Sequence, residues 1–195
     1  MPGRFIVIEG LDGSGGTTQV RLLSQALSAH ATREPTDGPV GKLIRQALGD
    51  PMFMGDGVLP YLFAADRKDH LERVIEPKLT GEVDVVSDRY YHSSLAYQSL
   101  AMPLDQVMAL NAGFRAPDLC VFLDLDVQGC LARIEARGQA RDRFETQRQL
   151  EEISAQYGVV LGMLRQRGDN ILVLDATGSI PQVHKQILAA VEGLK

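Results

Sequence analysis

Arg4 to Glu9 carries the unbroken apolar run Phe5-Ile6-Val7-Ile8 and leads straight into Gly10-Leu11-Asp12-Gly13-Ser14-Gly15-Gly16-Thr17. A short continuous run ended by glycines reads as a strand buried on both faces, as in a parallel sheet. Thr17 to His30 then reads as a helix, with Val20, Leu22, Leu23, Ala26 and Leu27 along one side. Strand, glycine turn and helix together demand a crossover to a parallel neighbour. That restricts the chain to folds assembled from βαβ units.

The rest of the chain keeps this alternation. A short strand ends at Thr32-Arg33, before Glu34-Pro35, and Val40 to Leu48 is helical. Pro60 sits where a first helical turn accepts proline, opening a long helix to about Glu76. Val83 to Ser87 is a strand with Asp88-Arg89-Tyr90 just beyond its carboxyl end; short helices follow over Ser93–Leu100 and Leu104–Phe114. Leu119 to Leu123 is a strand, and Asp126 caps a helix to about Arg137. The polar, Arg-rich stretch from Gly138 to Glu145 has no periodicity and reads as a loop. Thr146 with Gln149 forms a capping-box pattern for a helix to about Arg167. Ile171 to Leu174 is the last strand and Ser179 to Leu194 the last helix. The expected fold is α/β: three layers, with a five-stranded parallel sheet flanked by helices, in one domain over 1–195. The ligand then belongs outside the carboxyl ends of the strands.

Charge narrows the ligand. A net charge of -5 argues against a general nucleic-acid binder, which needs a basic face. Fifteen of the 20 basic residues are nonetheless Arg. A guanidinium fork grips phosphate at two points, so a phosphorylated small molecule fits; genome base composition would produce the same skew. Two cysteines, Cys120 and Cys130, are too few for a disulfide framework and suit a cytoplasmic protein. No run is long enough for a signal peptide or a membrane span.

The turn itself names the chemistry. Gly10 to Thr17 matches the P-loop pattern G-x-x-x-x-G-K-[ST] at every fixed position but one: Gly16 stands where the lysine belongs. Glycines let backbone N–H groups converge on a phosphate, and the following helix adds its positive end. Thr17 offers a hydroxyl to a phosphate-bound Mg²⁺. A glycine turn with no ligand is the plain alternative; a dinucleotide turn is a poorer match still, because the glycines do not follow G-x-G-x-x-G. Losing one preorganised donor typically costs about 10²- to 10³-fold in rate. Arg137, Arg141 and Arg143 are candidate replacements, since an arginine on the transferring phosphoryl group contributes about 10³ to 10⁵.

With those residues in place the chain resembles the thymidylate kinase family over nearly its whole length. Phe5 to Gly15 resembles that family's first strand and loop, Arg33-Glu34-Pro35 its R-E-P segment, and Leu62-Phe63-Ala64-Ala65-Asp66-Arg67 its L-F-A-A-D-R helix. Asp88-Arg89-Tyr90 with Ser93-Ser94-Leu95-Ala96-Tyr97-Gln98 resembles D-R-Y…S-x-x-A-Y-Q, the most specific piece. Pro117-Asp118-Leu119 with Leu123-Asp124 resembles its P-D-L…L-D strand, and Arg137-Gly138 with Asp142-Arg143-Phe144-Glu145 resembles a lid at about 137–146. Gly16 departs from the pattern.

The resemblance implies transfer of the γ-phosphoryl of MgATP to dTMP, a homodimer, and a set of roles. ATP and its phosphates would meet Gly10, Asp12, Gly13, Ser14, Gly15, Gly16, Thr17, Thr18 and Arg137, with Asp175, Ala176 and Thr177 near the adenine. Asp12, Arg33, Phe63, Arg67, Arg89, Ser94, Tyr97 and Gln98 would hold dTMP. Within that set Phe63 would stack on the base, Tyr97 would press on the sugar and Asp12 would accept from its 3′-OH. Thr17 and Asp88 would bind Mg²⁺, with Glu34 as a further partner. Arg143, Arg141, Asp12 and Arg89 would be catalytic, a lid arginine replacing the lysine. Phe63 as helix core, Arg67 and Arg33 as surface charge, another deoxypyrimidine monophosphate as acceptor, and a catalytically weak or inactive nucleotide binder are the competing readings.

Overall fold

A computed structural model describes residues 2–50, 52–136 and 146–194. The expected lid, with Arg137, Arg141 and Arg143, lies outside the described residues.

Five strands, β1 (Phe5–Gly10), β2 (His30–Arg33), β3 (Val85–Asp88), β4 (Leu119–Asp124) and β5 (Ile171–Asp175), form one sheet in the order β2-β3-β1-β4-β5. Every pairing is parallel. All six residues of β1 are buried, as the unbroken apolar run requires of a central strand covered by helices on both faces. Because β1 is flanked by β3 on one side and β4 on the other, the strand order reverses beside it, and the crevice opens at its carboxyl end.

The helices are α1 (Gly16–Leu27), α2 (Pro39–Gly49), α3 (Leu59–His70), α4 (Glu76–Thr80), α5 (Tyr91–Tyr97), α6 (Leu104–Asn111), α7 (Val127–Ala136), α8 (Gln147–Gln166) and α9 (Ile180–Glu192). The expected caps hold: Asp126 Oδ1 accepts from Gly129 N at 2.6 Å, and Thr146 accepts from Gln149 N. Two of the boundaries that differ from expectation have a local cause. Helix α1 stops at Leu27, because Ser28 turns left-handed (φ 52°), and His30 already belongs to β2. The helix opened by Pro60 runs on past Glu76 to Thr80, but through a π-helical turn, Leu71–Ile75. Pro77 lacks the N–H that would bond the carbonyl four residues back, and the looser turn lies directly before it.

Gly13 and Gly16 have different reasons to be glycine. Gly13 has φ +87°, and a Cβ there would stand 2.5 Å from the Cys130 carbonyl oxygen of α7. Gly16 opens α1 with no left-handed φ, and its nearest neighbour would be Asp88 Oδ1 at 3.2 Å. The backbone therefore requires glycine at 13 and does not require it at 16. Gly13→Ala is expected to lower unfolding free energy by roughly 2–6 kcal/mol, strain plus overpacking. Gly16→Ala stays within about 1 kcal/mol of the parent. Urea denaturation of both variants reads the contrast.

His92 is fully buried and stacked on Tyr91, and neither ring nitrogen has a hydrogen-bond partner. Burial lowers its pKa from 6.5 to about 3, with a smaller push from the charge of Arg67. The unfolded chain takes up this proton near 6.5 and the folded chain refuses it, so stability falls as pH drops from about 6.5 towards 3. The slope from this group approaches ~1.4 kcal/mol per pH unit. Denaturation curves across that range for His92→Phe should lose it.

Candidate active site

Two clefts meet at the carboxyl edge of the sheet, sharing Asp12, Glu34 and Arg89 in their walls. The larger, about 610 Å³, is lined by the whole turn from Gly10 to Thr18 with Arg33, Asp88, Arg133, Ala176 and Gly178. The smaller, about 160 Å³, is lined by Phe63, Arg67, Tyr90, Ser94, Tyr97 and Gln98 among others. One has room for an extended polyphosphate; the other is smaller, with the rings of Phe63, Tyr90 and Tyr97 in its wall, and suits a flat ring.

The larger cleft is built from main chain. Gly15 caps α1 in a left-handed conformation (φ 108°), and the first N–H groups of the helix, without partners of their own, face the cleft. Thr17 Oγ1 donates to Asp88 Oδ2 at 2.6 Å. A hydroxyl and a carboxylate side by side are a fitting partial donor set for Mg²⁺, which completes its shell with phosphate and water. Among the described residues no cluster of three or more His, Cys, Asp or Glu could hold a metal unaided. Ala176 lines this cleft, as expected; Asp175 and Thr177 are exposed and engage each other, Asp175 Oδ1 accepting from Thr177 N at 2.8 Å. Arg133, which the sequence did not single out, ties the turn to the β5–α9 loop: Nη1 donates to Ser14 O at 2.9 Å and Nη2 to Ala176 O at 2.8 Å.

Arg89 stands between the clefts. It has φ +69°, a conformation that costs a non-glycine residue and is held here by Arg89 N donating to Ile8 O at 3.0 Å and Ser87 Oγ donating to Arg89 O at 2.8 Å. The guanidinium meets Asp12 Oδ1 at 2.7 Å and Ser93 Oγ at 2.9 Å, over the Tyr97 ring. Burial opposes its charge, but Tyr97, Asp12, Tyr157 and Glu9 hold its pKa well above the ordinary value. The second oxygen of Asp12 accepts from Tyr97 Oη at 3.1 Å.

Behind Arg89 lies Glu9, at 1% exposure. Its oxygens accept from Tyr90 N (2.8 Å), Ser93 N (3.2 Å), Ser93 Oγ (2.6 Å) and Tyr157 Oη (2.9 Å). Burial pushes the carboxyl up, opposed by the Arg89 charge and these hydrogen bonds. The sequence carried the signal: a charge at the end of a doubly buried strand needs partners. Tyr157 carried none, since its spacing on α8 reads as core.

The smaller cleft is built around Arg67. It is not a solvated helix residue: it is 1% exposed. Nε donates to Glu34 Oε2 at 2.9 Å, Nη2 to Ser94 Oγ at 2.9 Å, and Nη1 to Asn111 Oδ1. Glu34 Oε1 meets His70 Nδ1 at 3.1 Å, and His70 Nε2 meets Thr32 Oγ1 at 2.6 Å. Both oxygens of Glu34 are thus engaged, one by Arg67 and one by His70. Phe63 is half-buried in the cleft wall and stands outside the core cluster. Gln98 Oε1 is buried with no partner in the same cleft. Arg33 lines only the larger one, with an exposed side chain paired to Asp37.

The same arrangement of chain is found in known proteins. Residues 8–187 match the family model described as thymidylate kinase. A probable thymidylate kinase of Pyrococcus horikoshii is 35% identical, over 98% of this chain and 97% of the relative. The thymidylate kinase of Xanthomonas campestris pv. campestris is 37% identical, over 96% of this chain and 84% of its own. The solved structure of thymidylate kinase from Candida albicans superposes with a TM-score of 0.85 at 28% identity, covering 98% of this chain and 92% of that one. A family model matched over residues 8–187, and relatives 35% and 37% identical over nearly the whole chain, place this chain in the thymidylate kinase family.

Proposed function

We propose that the protein transfers the γ-phosphoryl of MgATP to dTMP, giving ADP and dTDP. The observation that carries the reading is the junction of the two clefts at Asp12 and Arg89. A triphosphate on the turn and a monophosphate ester in the aromatic cleft would bring their phosphates together there. An oxygen of the acceptor 5′-phosphate bonds to the γ-phosphorus as the bond to the β,γ-bridging oxygen breaks, and ADP leaves with that electron pair. The acceptor is already anionic, so the protein's work is positioning and charge neutralisation.

Arg89 holds the acceptor phosphate, and Asp12 accepts from the sugar 3′-OH. Tyr97 fills the space a 2′-OH would need. Thr17 and Asp88 hold Mg²⁺, which when bound neutralises phosphate charge; Glu34 serves Arg67 instead. Arg141 and Arg143 act on the transferring group. A homodimer through the exposed apolar side chains Met52, Phe53, Val58 and Tyr61 fits the family. A reducing, cytoplasmic setting suits the two unpaired thiols.

The base cleft sets the acceptor. Arg67 presents donors, and the orphaned Gln98 Oε1 presents an acceptor. Thymine and uracil offer the complement, a 4-carbonyl and an N3–H; cytosine offers the reverse. The kcat/KM for dCMP is expected to fall below that for dTMP by about 10- to 100-fold, at ~1–3 kcal/mol of discrimination. Competitive turnover of dTMP, dUMP and dCMP, read as ADP release, measures it; equal rates would overturn the base assignment. ADP release with MgATP that does not rise on adding dTMP would favour the inactive nucleotide binder.

The Arg67–Glu34 pair is a second handle. With side chains 1% and 2% exposed, removing one partner strands a buried charge. Glu34→Ala is expected to cost roughly 3–5 kcal/mol of stability, and Glu34→Gln to raise KM for dTMP with a smaller change in stability. Chemical denaturation and steady-state kinetics on the pair separate the two effects.

A further inference from the structure

The turn seats its ligand beside a position, Gly16, that supplies no charge. Among the described residues three arginines line the larger cleft: Arg33, Arg89 and Arg133. Arg89 is fixed by Asp12 and Ser93, and Arg133 by two main-chain carbonyls. Arg33 differs. Its side chain is 61% exposed and pairs with Asp37 Oδ1 at 2.8 Å, an oxygen that Arg45 also meets at 3.0 Å. Exposed pairs of this kind are weak, and Asp37 keeps Arg45 if Arg33 leaves.

The sheet register aims Arg33 at the gap. In the parallel β2–β3 ladder Arg33 lies opposite Asp88, so the two side chains share a face. That face is the α1 side, because Asp88 accepts from Thr17 Oγ1 there; the opposite face of β2 is marked by Thr32, which meets His70. A Cβ at Gly16 would stand 3.2 Å from Asp88 Oδ1. Arg33 is therefore rooted one strand away from the carboxylate that borders the lysine's own position. An open groove runs from Asp37 past Arg33 to Asp88 and Thr17, giving the side chain a path.

We propose that Arg33 supplies the charge missing at Gly16: with ATP bound, its guanidinium leaves Asp37 and faces the β- and γ-phosphates from the α1 side of the sheet. This rests on the kinase reading and moves Arg33 from the acceptor phosphate, where the resemblance puts it, to the donor. It also separates two tasks. Arg33 neutralises the seated triphosphate, and the lid arginines act on the group in flight.

The test is a rescue. Arg33→Ala and Arg143→Ala are each assayed with and without Gly16→Lys, varying ATP and dTMP. Arg33→Ala should lower kcat by about 10²-fold or more, with KM for dTMP within about three-fold. Gly16→Lys should restore most of that loss and leave Arg143→Ala slow. Arg33→Ala should also bind a fluorescent ATP analogue more weakly while binding the AMP analogue as the parent does. Unchanged kcat in Arg33→Ala, a change confined to KM for dTMP, or rescue of Arg143→Ala instead would each overturn the proposal. If Gly16→Lys does not fold, by circular dichroism, the ATP-to-AMP binding ratio of Arg33→Ala decides alone. A parent that releases no ADP with dTMP refutes the kinase reading, and the same ratio still tests Arg33.

Discussion

One buried carboxylate holds the two halves of the site in register. Glu9 closes the central strand immediately before the glycine turn, and its oxygens take hydrogen bonds from Tyr90, Ser93 and Tyr157. The donor turn, the start of α5 and the long helix α8 are thereby fixed to a single point. Helix α5 carries Ser94 and Tyr97, and Arg89 stands just before it. A carboxylate so deeply buried is costly unless satisfied, and here two of the partners that satisfy it, Tyr90 and Ser93, belong to a wall of the smaller cleft. The stability of the core and the geometry of the site are the same set of contacts.

A second buried network does similar work at the smaller cleft. Arg67, Glu34 and His70 bring charge into a place where apolar packing would stabilise as well or better. What the network adds is direction. Arg67 has Glu34, Asn111 and Ser94 around it and the rings of Tyr90 and Phe114 beneath. With those partners its guanidinium has one orientation, and a donor in one orientation discriminates between base edges.

Gly16 gains meaning from its surroundings. Its neighbours in the turn are glycine for backbone reasons, as at Gly13, but its own backbone is helical and would take a side chain. The absence of lysine is thus a chemical choice rather than a conformational one. Asp88 borders the position, and Arg33 lies across the ladder from Asp88.

Much of this was legible in the linear chain. The order of strands and helices, the glycine turn, the capping residues Asp126 and Thr146 and the Asp-Arg-Tyr corner are local, set by backbone preferences within a few residues. They fixed an α/β fold and put the ligand at the carboxyl edge. The signal for Glu9, not taken up in the sequence reading, was there too: a charge at the end of an apolar run. The remainder depended on partners far apart in sequence: Tyr157 reaches Glu9 across 148 residues, and Arg67 reaches Asn111 across 44. The resemblance left Arg67 between base contact and surface and put Glu34 beside a metal, and nothing in the linear chain singled out Tyr157. Only the packed sheet decided these, because a side chain's role is set by what closes over it. Sequence determined which elements form and in what order; the tertiary structure determined which charges are buried together and which stay at the surface.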